Sequence, residues 1–550
     1  MSRLFKTSIC YLLSVIISLT QVLTIFIGGE VKAAFYIQQG GLNSCCFEQI
    51  SGTFQKSSEH FNRFAYVYSD KYFENSASEY NPALATMSLC LDISSFSRKD
   101  TKYNRINYKN QSKNVNLLLR ELGFKDIRVN SDFRKKPNSK TIGVATGHKK
   151  IDVCGKSYTL IPIVIRGGYY GLEWANNMLI GAKGNHVGFS YAADSVKKFV
   201  DEYINKTNDI QGNIKFWIVG YSRGGAVAGL VGKLYNDYCD ICEREADFFN
   251  YNKNISINKD DIYTYTFESP KGLDISSEDF SGKYSNIHNI INDDDFATKL
   301  AVKCWGFARP GVDHKLLKDK NQQDICRVKK ILSIMCVNVY GDSVVEYKAD
   351  RFKTYGFNWF SNAISTQSKF LDEFLKMFAS CLFDGRNNNF KNFFSKDMKG
   401  LRMAYFKHEQ TISRLIELLL SDEDFIRSID SVLNKKYSKF GLFFKAVFSN
   451  SALKNSVMEI CDDVFEEYNL KADPEKKISA QELKSLKAGI CDMLICFNKI
   501  SNYRYFYIFL KNLDNIVSSH EPEICLASLI DEDPNKYIYL NQMENMIYSF

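Results

Sequence analysis

The chain is expected to fold as an α/β protein: a mostly parallel sheet flanked by helices, with an all-α segment inserted into it. Three stretches predict this. Lys215 to Tyr238 reads as strand, tight turn, helix. Tyr158 to Ile165 and then His186 to Ile204 supply a strand and a helix just before it, which is the βαβ order of a parallel crossover unit. From about Trp359 to Leu513 the pattern is helical throughout, and Pro474 is the only proline.

In the first of these stretches, Phe216-Trp217-Ile218-Val219 is a short apolar, β-branched and aromatic run suited to a buried strand. From Ala226 the apolar positions Val227, Leu230, Val231, Leu234 and Tyr235 recur with helical spacing. Between them stands Gly220-Tyr221-Ser222-Arg223-Gly224. Elsewhere five such residues would be a glycine-rich turn. Between a strand and a helix, glycine on each side removes the Cβ atoms that would collide, and the serine hydroxyl projects to where substrate can reach it. Ser222 is the candidate nucleophile.

The run GYSRGGAVAGL resembles the nucleophile elbow of the class 3 (fungal-lipase-like) lipases within the α/β-hydrolases. The likeness extends over about residues 60 to 315 and 505 to 530, as several motifs in order. It implies an α/β-hydrolase fold and a serine carboxylic-ester hydrolase: lipase, phospholipase or carboxylesterase. It further implies an ester or lipid substrate, contact with a lipid surface, and no metal or organic cofactor. The chain would then be an exported, bacterial-type member with a helical insertion.

Export is read from the start of the chain. Arg3 and Lys6 precede an uncharged apolar run from about Ile9 to Gly28, followed by Val31-Lys32-Ala33-Ala34, a small-residue cleavage pattern. Residues 1–34 are expected to be a signal peptide, or an uncleaved membrane anchor, since the run is long enough to span a bilayer. Either places the protein in the secreted fraction or at the cell surface.

A net charge of +8 spread over interspersed basic and acidic residues excludes a basic stripe, so nucleic acid is not an expected partner. Of 15 cysteines, Cys10 lies in the leader, leaving 14 that could pair in an oxidising compartment. Cys239 and Cys242 form a lone C-x-x-C with no second pair, a local disulfide or two thiols rather than a zinc site.

Along the chain, Pro82 to Ile93 has a helical pattern, Val115 to Leu122 forms a helix ending at Gly123, and Asp126 to Val129 resumes as a strand. Ile142 to His148 and Tyr158 to Ile165 are two further strands. The second runs into Arg166-Gly167-Gly168. In this fold the loop after that strand and the residue after the serine give the backbone N–H groups of the oxyanion hole, here Gly168 and Arg223.

After the elbow helix, Ile262 to Phe267 is a strand closed by Glu268-Ser269-Pro270, where the resembled family usually has glycine in place of Glu268. Asn286 to Ile291 is the next strand, leading into Asn292-Asp293-Asp294-Asp295. A carboxylate just beyond such a strand is where this fold places the triad acid. Three aspartates compete, and the family's Asn-x-x-Asp selects Asp295. The usual Val-Pro after it is Ala297-Thr298 here. Three clustered carboxylates do not by themselves support a calcium site, which needs about six or more oxygen ligands.

The helical segment 359–513 is expected to be a cap inserted into a hydrolase core spanning 35–358 and returning at 514–550. Its segments are Phe370 to Phe383, Leu401 to Leu420, Ser451 to Tyr468 and Ser479 to Phe497. A separate partner-binding helical domain is the other reading. Two histidines compete as the base. His408 lies within a helical stretch, whereas His520, in NIVSSHEPEICLASL, precedes Pro522 at a helix start and completes the order serine, acid, base. The triad is thus read as Ser222, Asp295 and His520. A catalytically silent surface protein that uses the hydrolase scaffold for binding is the alternative function.

Overall fold

The computed structural model describes residues 50–55, 63–96, 99–100, 105–106, 112–133, 142–167, 171–244, 255–275, 282–292, 295–301, 305–316, 322–337, 402–403, 405–422, 424–425, 427–428, 431–432, 450–498, 520 and 522–547. The leader expected at 1–34, Gly168, Asp293, Asp294 and the helix expected at Phe370 to Phe383 lie outside these. So does the Cys242 side chain.

The central sheet is built from β3 (Lys125–Val129), β4 (Val144–Val153), β5 (Lys156–Ile165), β6 (Gly212–Tyr221), β7 (Ile262–Phe267), β8 (Ile287–Asn292) and β9 (Val312–Leu316). Its order across the sheet is β9-β8-β7-β6-β5-β4-β3, and a short strand at Ile255–Ser256 pairs with the start of β6. From β5 to β9 every pairing is parallel. β3, β4 and β5 pair antiparallel, which joins β4 to β5 by a tight turn at Cys154-Gly155. Sequence reading missed β9 because Val312-Asp313-His314-Lys315-Leu316 is polar, as suits an exposed edge strand.

The parallel strands are apolar on both faces, as helices on both sides require. Alternate residues divide between two cores. Ile161, Ile163 and Ile165 of β5, with Ile214, Phe216 and Ile218 of β6, pack against α4 (Val187–Lys206) and α5 (Arg223–Arg244). Leu160 and Val164 of β5, with Trp217, Val219 and Tyr221 of β6, face the other way. There they meet α1 (Pro82–Ile93), α2 (Lys113–Glu121), α6 (Gln322–Val337), α10 (Pro522–Glu532) and α11 (Lys536–Ile547). A hairpin of β1 (Ile50–Gln55) and β2 (Arg63–Tyr68) lies at this side, where the Tyr539 hydroxyl accepts from the Val67 N–H at 3.3 Å.

α1 has the bounds expected from its pattern, with Asn81 as N-cap accepting from the Leu84 N–H at 3.1 Å and Pro82 at the first turn. The described part of the helical segment comprises α7 (Glu409–Ser421), α8 (Asn450–Lys471) and α9 (Ala480–Asn498). These share a small core of Leu418, Phe425, Phe465, Tyr468 and Leu486. The segment is tied to α3 (Gly171–Asn176) and the loop after it. Ile416 packs on Trp174, the Arg402 guanidinium donates to the carbonyls of Gly181 and Gly184 and pairs with Asp274, and the Gly181 N–H donates to Glu409.

Candidate active site

Ser222 sits between β6 and α5 with a φ of +55°, in the left-handed region that a non-glycine residue enters only at a cost. Its N–H donates to the Phe267 carbonyl at 2.8 Å, and its own carbonyl accepts from Ala226. The flanking glycines are obligatory for reasons of contact. A Cβ at Gly220 would stand 2.2 Å from the Gly224 carbonyl oxygen, and one at Gly224 would stand 2.3 Å from that of Ile165. The elbow is less open than expected. Ser222 is only 9% exposed, with the end of β7 and the His520 ring against it.

Three residues from distant parts of the chain meet there. His520 Nε2 lies 2.9 Å from Ser222 Oγ, and His520 Nδ1 lies 2.6 Å from Asp295 Oδ2. This geometry assigns the tautomer: Nδ1–H donates to the carboxylate and Nε2 accepts from the hydroxyl. Asp295 is fully enclosed, and its Oδ1 accepts from the Ala297 N–H at 2.8 Å. The Asp295 N–H closes a turn on the Asn292 carbonyl, and the Thr298 hydroxyl donates to the Asp295 carbonyl at 2.7 Å. The Ala297-Thr298 departure therefore still builds a tight loop.

His520 precedes α10, and its carbonyl accepts from the Tyr221 hydroxyl at 2.5 Å. His408, the competing histidine, stands at the N-terminus of α7 with its N–H on the Tyr405 carbonyl. It is His520 that the fold brings to Ser222.

Arg223 opens α5 immediately after the serine. Its side chain joins a buried cluster that sequence reading did not find. Glu173 of α3, wholly enclosed, accepts from Arg166 at 2.8 Å and lies 3.7 Å from the Arg223 guanidinium. Arg166 also donates to the Asp132 carbonyl, and its guanidinium lies over the Phe133 ring. Burial pushes the Arg223 guanidinium below its ordinary value, with Glu173 opposing that shift. The cluster ties the loop at Arg166-Gly167 to the start of α5. Nothing in the local pattern around Leu172-Glu173 marks this role, because it depends on three elements meeting.

One group among the described residues, Asp126, His148 and Asp209, has ligand atoms close enough to hold a metal. Asp209 lies before β6, so the group is at the end of the sheet away from Ser222. His148 Nδ1 is already hydrogen-bonded to the Tyr203 hydroxyl at 2.8 Å. Cys90 and Cys525 are buried free thiols, and Cys239, expected to bond locally or remain a thiol, is buried with its Sγ donating to the Ile257 carbonyl at 3.9 Å. Among the described residues no helix is long and apolar enough to cross a membrane.

A mostly parallel sheet with helices on both faces, and a serine at a sharp strand-to-helix turn on its C-terminal side, defines the α/β-hydrolase class. Within that class, residues 163–305 match the model of the lipase (class 3) family. No curated protein matches the sequence. Similar solved structures include a fungal lipase in complex with an inhibitor, at 15% identity and a TM-score of 0.23, covering 35% of this chain and 67% of that one. The triacylglyceride lipase of Rhizomucor miehei aligns at 17% identity and a TM-score of 0.22, covering 32% and 62%. A mutant form of MDLA from Penicillium cyclopium aligns at 14% identity and 0.22, covering 46% and 79%. The chain thus spans less than two thirds of the Rhizomucor enzyme's length.

Proposed function

We propose that the protein is an exported serine carboxylic-ester hydrolase acting on lipid or other ester substrates, with Ser222, His520 and Asp295 as its triad. The observation that carries this reading is the continuous hydrogen-bonded line from Ser222 Oγ through the His520 ring to Asp295 Oδ2. Ser222 Oγ attacks the acyl carbonyl while His520 Nε2 takes its proton. Asp295 holds the imidazole in the required tautomer and stabilises the cation that forms. The tetrahedral oxyanion is received by the backbone N–H groups of Arg223 and Gly168, each worth about 3 to 4 kcal/mol in hydrolases of this kind. His520 then protonates the leaving alcohol, water enters by the same route, and the acyl-enzyme is hydrolysed. No metal or organic cofactor takes part.

Export rests on the charged start, apolar run and small-residue site of residues 1–34. The helical segment acts as a cap on the substrate side, supported by its attachment to α3, which follows the oxyanion loop. Labelling of the purified protein by a fluorophosphonate tests the reading. Reaction at Ser222 in the parent and none in Ser222→Ala is expected. A parent that stays unlabelled and hydrolyses no p-nitrophenyl ester would instead make this a binding protein on a hydrolase scaffold.

A further inference from the structure

Glu268 closes β7 with a φ of +47°, a conformation that glycine takes freely and a glutamate takes at a cost of about 1 to 2 kcal/mol. Its side chain turns inward and is 1% exposed. One carboxyl oxygen, Oε2, accepts from the Asn292 N–H at 2.9 Å. The other, Oε1, is enclosed, with no hydrogen-bond partner at ordinary geometry. Two side chains face Glu268 within hydrogen-bonding reach, the wholly buried Asp295 carboxylate and the Cys525 thiol of α10.

Two buried carboxylates in contact would leave an uncompensated negative charge in the core. Lys271 donates to the carbonyls of Thr298 and Lys299, while Arg309 donates to those of Ser269 and Thr298 and pairs with Asp313. Among the described residues, His520 is engaged with Asp295, and burial keeps the Cys525 thiol protonated. A single proton on Glu268 removes the repulsion and gives Oε1 a donor function with Asp295 as its acceptor. Burial and the Asp295 charge both hold the Glu268 carboxyl well above the usual carboxylate range.

Resting on the triad assigned above, we propose that Glu268 is a positioning residue that remains a neutral acid and donates its Oε1–H to the Asp295 carboxylate. It fixes the Asp295 rotamer beside His520, and it draws off part of the charge that Asp295 presents to the imidazole. Removing the donor leaves that charge on the imidazole, so His520 holds its proton to higher pH.

The experiment compares the parent, Glu268→Gln, Glu268→Leu and Glu268→Gly by the pH dependence of fluorophosphonate labelling at Ser222 and of kcat/KM on a p-nitrophenyl ester. Glutamine keeps both the acceptor for Asn292 and a donor for Asp295, so Glu268→Gln should stay within about threefold of the parent with its acid limb unmoved. Glu268→Leu should lose about tenfold or more, and its acid limb should move about half a pH unit or more to higher pH. Should the leucine variant fail to fold, Glu268→Gly, whose backbone suits the left-handed position, carries the same expectation. An acid limb in Glu268→Leu or Glu268→Gly that coincides with the parent's, or one in Glu268→Gln that moves as far, overturns the inference. A parent that labels normally while the limbs of Glu268→Leu and Glu268→Gly stay unmoved overturns this inference alone, whereas an unlabelled parent overturns the triad on which it rests.

Discussion

The Tyr221 hydroxyl donates to the backbone carbonyl of His520 at 2.5 Å, so the residue immediately before Ser222 anchors the backbone of His520. Tyr221 is buried, its ring in contact with that of Phe96 and with the His520 ring. Tyr221→Phe keeps the ring and removes the anchor. Ester hydrolysis should fall about three- to tenfold in kcat, with KM little changed and about 1 kcal/mol of stability lost. Unchanged kcat in a folded Tyr221→Phe protein would mean that His520 is held without this bond.

Ser222 stores strain at its φ of +55°. Ser222→Ala should abolish hydrolysis and leave stability within about 1 kcal/mol of the parent. Ser222→Gly should be equally inactive but more stable than the alanine variant by about 1 kcal/mol, because glycine adopts that backbone without penalty. Urea unfolding of the pair measures the difference, and equal midpoints would contradict a strained elbow.

Glu173 compensates two buried guanidinium groups. Glu173→Leu removes the carboxylate that faces both Arg166 and Arg223 and should cost about 3 to 5 kcal/mol, the range for breaking a buried ion pair from one side. A loss below about 1 kcal/mol in denaturant unfolding would show that the cluster is not the brace between the Arg166 loop and α5.

His288 is buried in β8, with Nε2–H donating to the Ala77 carbonyl and Nδ1 facing His314 Nε2 at 3.0 Å. Burial pushes its pKa down from the ordinary 6.5 to about 4, with the Ala77 contact opposing that shift. The unfolded chain therefore takes up the proton first as pH falls. The stabilising contribution is present above about pH 6.5 and is lost progressively toward about pH 4, at up to roughly 1.4 kcal/mol per pH unit. His288→Gln, which keeps a donor for Ala77 without the titration, should flatten the stability profile across that window. Parallel profiles for the two proteins would exclude His288 as a source of acid lability.

Much of the fold was legible from the chain because its elements are locally determined. The βαβ unit around β5, α4 and β6 is apolar at each strand position, and α4 and α5 carry regular apolar stripes. Asn81-Pro82 signals the start of α1 through a cap and a proline that act within one turn. The polar edge strand β9 and the short helix α3 were missed because neither has a periodicity of its own.

Ser222 was marked by its strand-to-helix turn, whereas Asp295 was one of three competing aspartates, chosen by the family resemblance, and His520 one of two competing histidines. That His520 rather than His408 reaches the serine was decided by the tertiary structure, across 298 residues. So was the burial of Glu268 against Asp295, and of Glu173 between two arginines. The physical reason is the same in each case. Periodicity and turn chemistry fix which face of an element is apolar and where it ends, over a span of a few residues. Which polar groups are then shut together away from water depends on how the crossovers stack α3, α5 and α10 against the strand ends, and no local pattern encodes that.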